Sequence, residues 1–322
     1  MSTTLTTSLD SIAGGRDSDT AEILAGLSAD PPHINSKYLY DRRGSELFDQ
    51  ICGLDEYYPT RTEQGIMQRH AVAMAGTIPA GSRLIELGSG SSLKTRVLLS
   101  ALPPGTTYHP VDISREHLHA TADSLRIDFP HLTIKPVVAD FTQDFELSPT
   151  RADAPPDQYY FPGSTIGNFE PPVAKSLLRQ IAGRSGRGGG LLIGFDLQKS
   201  VRILEAAYND IFGVTAAFTR NLLVHVNAMT DANFQPHQFA HHAFYNDTDH
   251  RIEIYLESKA NQRVHIAGQT FHYQPGDRIR TEYSHKYTID GFEKMAHDCG
   301  WRMTTSWTDP RKFFAVAKLE VA

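Results

Sequence analysis

The sequence predicts an α/β protein with a mostly parallel sheet and a smaller α+β part joined to it. Three observations carry this. Short apolar runs bounded by Gly or Pro recur at Arg83–Leu87, Thr107–Val111, Thr133–Val138, Gln158–Pro162 and Gly190–Phe195. Helical patterns lie between several of them, at Thr95–Ala101, Arg115–Phe129 and Pro172–Arg184. Buried strands alternating with helices belong to a parallel sheet covered on both faces. After Asp196 the rhythm changes. Residues 251–258 and 263–274 alternate apolar and polar positions, as half-exposed antiparallel strands do.

The remaining elements follow in chain order. Residues 1–20 are rich in Ser and Thr and read as a loose tail. Residues 21–30 suit a short helix stopped by Pro31 and Pro32. Residues 44–53 suit another, with Ser45 as its N-cap and Gly53 as its stop. Helical spacing resumes over 61–76 and again over 199–211 and 290–299. Two last strands, near 301–307 and 313–320, rejoin the first sheet. This gives one domain from 61–196 plus 288–322. A second comes from 20–60 plus the insertion 197–287, and 1–19 is a tail.

The chain has 322 residues, enough for about two domains and a substantial core. Hydrophobic residues are 40% and charged residues 21%, which excludes disorder over most of its length. The net charge of −6 lacks the basic footprint of a nucleic-acid or membrane-surface binder. Two cysteines, neither in a CxxC, make no disulfide framework. No cationic start precedes an apolar run, and no apolar stretch reaches about 18 residues. A cytoplasmic protein acting on a small free substrate is expected.

The strongest local signal is the string Arg83 to Ser92, RLIELGSGSS. It is a buried strand entering a glycine-rich turn, with a helix following at Thr95. Glycines there let the backbone approach a ligand closely. A dinucleotide site usually has a third glycine, where this chain has Ser92 or Leu93. Glu86, two positions before Gly88, instead fits a turn that wraps the amino-acid end of S-adenosylmethionine. Asp112 ends the next strand, where a carboxylate accepts from ribose hydroxyls. Asp140 and Phe141 end the third and suit an adenine. A nicotinamide oxidoreductase is therefore disfavoured.

With these motifs in place the chain resembles the histidine-specific N-alpha-methyltransferases of ergothioneine biosynthesis. The resemblance rests on Tyr38–Asp41, Gly44–Asp49, the Glu56–Glu63 string EYYPTRTE, Glu86–Gly90 with Lys94–Arg96, Gly163–Phe169, Gly213–Phe218 and Thr281–Tyr287. It implies a Rossmann-like class I methyltransferase domain with a separate substrate-binding domain. It implies trimethylation of the α-amino group of L-histidine to hercynine. Gly88, Lys94, Asp112, Asp140 and Phe141 would bind S-adenosylmethionine. Tyr57, Asn168, Tyr208, Glu282 and Ser284 would bind histidine, and Tyr40 would line the same pocket. Tyr40 and Asn168 would position the substrate, and no residue stands out as a general base. Glu282 and Ser284 lie two apart, so on an extended segment they share a face and suit the two nitrogens of an imidazole. Such a pair rejects side chains that leave it unpaired. Ile254 stands where bacterial relatives carry Met, so the side-chain pocket differs in shape.

Tryptophan or another aromatic amino acid is an alternative acceptor, but an indole offers one donor and no basic nitrogen to Glu282. A non-catalytic S-adenosylmethionine-binding protein is another. His237, His241 and His242 give an H-x-x-x-H-H spacing on an expected helix. It lacks the H-E-x-x-H glutamate and any Cys partner, so a solvated helix face and no metal are expected. A monomer is expected.

Overall fold

The computed structural model describes residues 6–90, 94–148 and 154–322. In chain order the helices and strands are α1 (Thr6–Leu27), α2 (Arg42–Cys52), α3 (Tyr58–Ala75), β1 (Arg83–Leu87), α4 (Thr95–Leu99), β2 (Thr107–Asp112) and α5 (Arg115–Asp128). Next come β3 (Thr133–Ile134), β4 (Val137–Val138), β5 (Gln158–Phe161), α6 (Pro171–Ser185), β6 (Gly190–Asp196), α7 (Val201–Ala206) and α8 (Val214–Thr230). The chain ends with β7 (Phe239–Asn246), β8 (Arg251–Ser258), β9 (Gln262–Ile266), β10 (Gln269–Tyr273), β11 (Arg278–His285), α9 (Ile289–His297), β12 (Trp301–Thr308) and β13 (Phe314–Val321).

The described chain forms two compact units. The first is Met1–Ile51, Tyr208–Tyr245 and Glu253–Glu282; the second is Cys52–Ala207, Asn246–Ile252 and Tyr283–Ala322. The second unit holds the large sheet, ordered β12-β13-β6-β5-β1-β2-β3, with β4 also on β2. β1, β2, β3, β4, β5 and β6 run parallel, and β13 is antiparallel to both β6 and β12.

Alternate side chains of these strands enter two cores. Ile85, Tyr159, Phe161, Ile193 and Phe195 pack with α6 and α9 on one face. Leu84, Tyr108, Tyr160, Leu192 and Val316 pack with α3, α4 and α5 on the other. Cover on both faces is why these strands read as unbroken apolar runs. β1 lies between β2 and β5, so the connections leave it in opposite directions. Such a switch point opens a crevice at the carboxyl ends of the strands. The fold is the Rossmann-like, mostly parallel α/β sheet that the strand and helix alternation predicts.

The first unit carries most of the sheet β11-β8-β7 and the β9–β10 hairpin, together with α1, α8 and most of α2. Several local expectations are corrected. Of the expected tail, residues 1–5 lie outside the described residues and the rest belongs to α1 from Thr6, whose carboxyl end is held by buried Ile23 and Leu27. α2 starts at Arg42, capped by Asp41, whose Oδ1 accepts from Gly44 N at 2.7 Å, rather than by Ser45. The expected strand 133–138 is broken at Pro136, which cannot donate to a ladder. The expected strand 263–274 is a hairpin, turned at Ala267 and Gly268 with φ of 44° and 80°. The expected helix 199–211 is the shorter α7. His241 and His242 lie on β7 and not on a helix, with His237 in a short 3₁₀ turn. His241 Nε2 lies 2.8 Å from Tyr208 O and its Nδ1 3.1 Å from Thr219 Oγ1, so its ring is engaged within the protein. Among the described residues no helix is long and apolar enough to cross a membrane.

Candidate active site

The carboxyl end of β1 builds the glycine turn. Gly88 N and Ser89 N donate to Val111 O at 2.9 and 3.1 Å, which ties the turn to β2. Gly88 and Gly90 have φ of 68° and 48°, a region that favours glycine. A Cβ on Gly88 would stand 3.4 Å from Phe141 Cε1. Phe141 is itself held edge-on by Phe161 and Phe169. Asp112 accepts from Gly90 N at 3.0 Å and from Ser114 N at 2.9 Å. Asp140 Oδ1 accepts from the Thr142 amide and hydroxyl at 2.9 and 2.6 Å. Gly88, Asp112 and Phe141 are thus brought together, with Asp140 adjoining. Ser92 and Leu93 lie outside the described residues.

Two carboxylates support this turn from inside the second unit. Glu86 is buried; it accepts from Thr95 Oγ1 at 2.7 Å and from Tyr108 OH. Burial pushes its carboxyl up to about 8 against those bonds. Glu63, also fully buried, pairs with Lys94 Nζ and accepts from Gly163 N at 3.0 and 3.1 Å. A Cβ on Gly194 would lie 2.3 Å from Glu63 Oε1, so β6 makes room for this carboxylate with a glycine. Lys94 is in this way fixed beside Gly163, at the carboxyl ends of β1 and β5.

A third buried cluster centres on Asp196, the last residue of β6. Tyr58 OH donates to its Oδ2 at 2.6 Å and Lys199 Nζ to its Oδ1 at 2.7 Å. Lys286 Nζ lies 2.9 Å from Oδ2 and donates to Ser284 Oγ at 2.7 Å. Burial alone would raise the Asp196 carboxyl; Lys286 and Lys199 outweigh it and hold it below the usual carboxylate range. Burial pulls Lys199 down to about 8. The Asp196 amide donates to Ser164 Oγ at 2.9 Å, and Ser164 starts the 3₁₀ turn Thr165–Asn168. Tyr57 thus precedes Tyr58 in the chain, Asn168 closes the 3₁₀ turn that Ser164 begins, and Ser284 accepts from Lys286. Glu63, Tyr58, Asp196, Lys199 and Lys286 were not singled out from sequence. The signals lay in the Glu56–Glu63 and Thr281–Tyr287 strings and in an aspartate closing an apolar strand.

The first unit holds the other candidates. Tyr40 stands edge-on to Phe48 and Phe218, both at 5.6 Å between ring centres. Asp41 beside it also accepts from Asn221 Nδ2 at 2.7 Å, so three of the quoted strings meet there. Tyr208 lies in the turn after α7 rather than on a helix face, with its carbonyl on His241. Glu282 is half-buried on β11. Ile254 is buried on β8, its carbonyl accepting from Thr281 Oγ1 at 3.1 Å.

The comparisons with known proteins agree with this geometry. A family model described as "Histidine-specific methyltransferase, SAM-dependent" matches residues 19–321. The chain belongs to this family. A histidine N-alpha-methyltransferase of Mycolicibacterium smegmatis is 35% identical, over 92% of each chain. The N-methyltransferase imqF of Aspergillus flavus is 28% identical, over 89% of this chain and 81% of that one. Ergothioneine biosynthesis protein 1 of Neurospora crassa is 28% identical, over 86% of this chain and 32% of its own length. As a member of the histidine-specific methyltransferases, the protein is an S-adenosylmethionine-dependent histidine N-methyltransferase.

The second unit suits the co-substrate. Gly88 leaves a cradle that a Cβ would narrow, Lys94 offers a fixed cation for a carboxylate, and Phe141 offers an aromatic edge. Among the described residues no group of His, Cys, Asp and Glu is arranged to hold a metal ion.

Proposed function

We propose that the protein transfers three methyl groups in succession to the α-amino group of L-histidine, giving hercynine, the first step of ergothioneine biosynthesis. It would act as a cytoplasmic monomer. In this reading Gly88, Lys94, Asp112, Asp140 and Phe141 hold S-adenosylmethionine, which supplies an electrophilic sulfonium methyl when bound. Tyr57, Asn168, Tyr208, Glu282 and Ser284 hold histidine, and Tyr40 and Asn168 position it. The unit carrying the glycine turn serves as the methyltransferase domain and the other as the substrate domain.

The observation that supports the reading most is the Asp196 cluster. It ties the elements bearing Tyr57, Asn168 and Ser284 into one rigid assembly in the unit that carries the glycine turn. Methyl transfer to an amine is an in-line displacement, and its main requirement is alignment, with reacting atoms about 3–3.5 Å apart. The attacking amine must be neutral. Asn168 and Tyr208 can hold the substrate carboxylate without adding a charge. Glu282 accepts from one ring nitrogen, and Ser284 addresses the other.

The test is turnover of the purified protein with S-adenosylmethionine and histidine. A product heavier by three methyl groups, with three S-adenosylhomocysteine released per histidine, supports the reading. No methylated amino acid, or faster turnover of tryptophan, overturns it.

A further inference from the structure

Lys286 is buried, and its ammonium bridges two groups. It lies 2.9 Å from Asp196 Oδ2 and donates to Ser284 Oγ at 2.7 Å. An ammonium has three donors and no acceptor, so Ser284 is the acceptor in that bond. The single hydroxyl proton of Ser284 is thereby directed away from Lys286. A cation this deeply placed needs a counter-charge, and Asp196 provides it.

Lys199 shares the same carboxylate but has a different task. Its ammonium donates to Asp196 Oδ1, Tyr58 OH and Leu197 O, which accounts for its three protons. Lys199 is a fixed part of the scaffold, while Lys286 is the ammonium that reaches β11. Asp196 also donates its amide to Ser164 Oγ and accepts from Tyr58 OH. The ion pair is therefore braced from β6, from α3 and from the turn before Asn168.

We propose that Lys286, held by Asp196, is a specificity-positioning residue that sets Ser284 as a hydrogen-bond donor toward an unprotonated ring nitrogen of the acceptor. This rests on the reading that Ser284 meets the imidazole. A neutral imidazole has one N–H and one nitrogen lone pair, and the lone pair is what a donating hydroxyl requires. An indole has an N–H and no such lone pair. Its ring offers the Ser284 hydroxyl no acceptor in place of the imidazole nitrogen, so the hydrogen bond that favours histidine has no counterpart with an indole. Selection for histidine then lies partly in a lysine that does not touch the substrate.

The experiment is a double-mutant cycle read by calorimetry. Histidine is titrated into the wild type, Ser284→Ala, Lys286→Met and the double variant, each saturated with S-adenosylhomocysteine. Either single change is expected to weaken histidine binding about tenfold. The double variant is expected to bind no more than about twofold more weakly than Ser284→Ala, because Lys286 acts through that hydroxyl. Affinity for S-adenosylhomocysteine alone stays within about twofold, which a general structural loss would not allow. Lys286→Gln restores a donor without the charge and is expected to bind histidine within about threefold of the wild type; it carries the test if Lys286→Met does not fold. Multiplicative losses in the cycle overturn the proposal. So does a Lys286→Met protein that binds histidine like the wild type, or a folded Lys286→Gln protein that binds it as weakly as Ser284→Ala. Absence of histidine binding by the wild type instead overturns the functional reading, and this proposal with it.

Discussion

Gly167 packs onto the backbone of His285: a Cβ on Gly167 would stand 2.8 Å from His285 O and 3.2 Å from its N. The turn bearing Asn168 is thus seated on the end of β11 that bears Ser284, both within the second unit. Gly167→Ala forces a backbone against a backbone, and neither side can move aside cheaply. We expect a loss of about 1–3 kcal/mol in stability. Histidine affinity is expected to fall while S-adenosylhomocysteine affinity holds. Thermal unfolding and calorimetry on one preparation check this.

The Lys94–Glu63 pair separates stability from cofactor binding. Lys94→Met leaves a buried carboxylate with, among the described residues, only the Gly163 amide, and breaking a buried pair costs about 3–5 kcal/mol. It also removes the cation proposed for the co-substrate carboxylate, a charged hydrogen bond of about 1.5–3 kcal/mol. Adding Glu63→Gln should restore much of the melting temperature and none of the S-adenosylhomocysteine affinity. Recovery of both would show that Lys94 acts only through the fold.

Glu282→Ala tests the acceptor directly. If Glu282 has the role proposed above, histidine loses its partner for one ring N–H, and its kcat/KM should fall about tenfold or more. Turnover of tryptophan, if present, should change far less. Equal losses for both acceptors would remove Glu282 from side-chain recognition.

The buried carboxyl of Glu86 gives the fold a pH signature. It is raised by burial from 4.5 to about 8, so the folded protein holds a proton there that the unfolded chain has released. Stability from this group is complete below about 4.5 and is lost as pH rises toward 8. Glu86→Gln should flatten the fall in unfolding free energy over that window. His285 works the other way: burial lowers it from 6.5 to about 4, so stability falls as pH drops through that range. Denaturant melts in a pH series resolve the two slopes.

The large sheet was legible because strands covered on both faces cannot carry polar alternation. Ile85 and Leu84, one residue apart, serve opposite cores and are both apolar. α8 went unread: its Thr, Asn, His and Val residues have modest helix propensity, and packing of Phe218, Leu222 and Val226 outweighs that. The hairpin at Ala267 was hidden because alanine seldom takes a positive φ, so only Gly268 hinted at a turn. The quoted strings marked the segments carrying Lys94, Asn168 and Ser284. What joins those segments was not legible, since Tyr58 and Asp196 are 138 positions apart and meet only through the fold. Glu63 is similar, 100 positions from the Gly163 amide it accepts.

β13 is the last strand of the chain, yet it sits inside the sheet between β6 and β12. A ribosome delivering this polypeptide releases β6 well over a hundred residues before its neighbour exists. Until then β6 presents an unpaired edge, and β12 has no place to attach. The nascent protein must carry that open edge while residues 197–313 are made and can close it only once β13 has emerged. Deleting the terminal strand would therefore open the middle of the sheet rather than trim its margin.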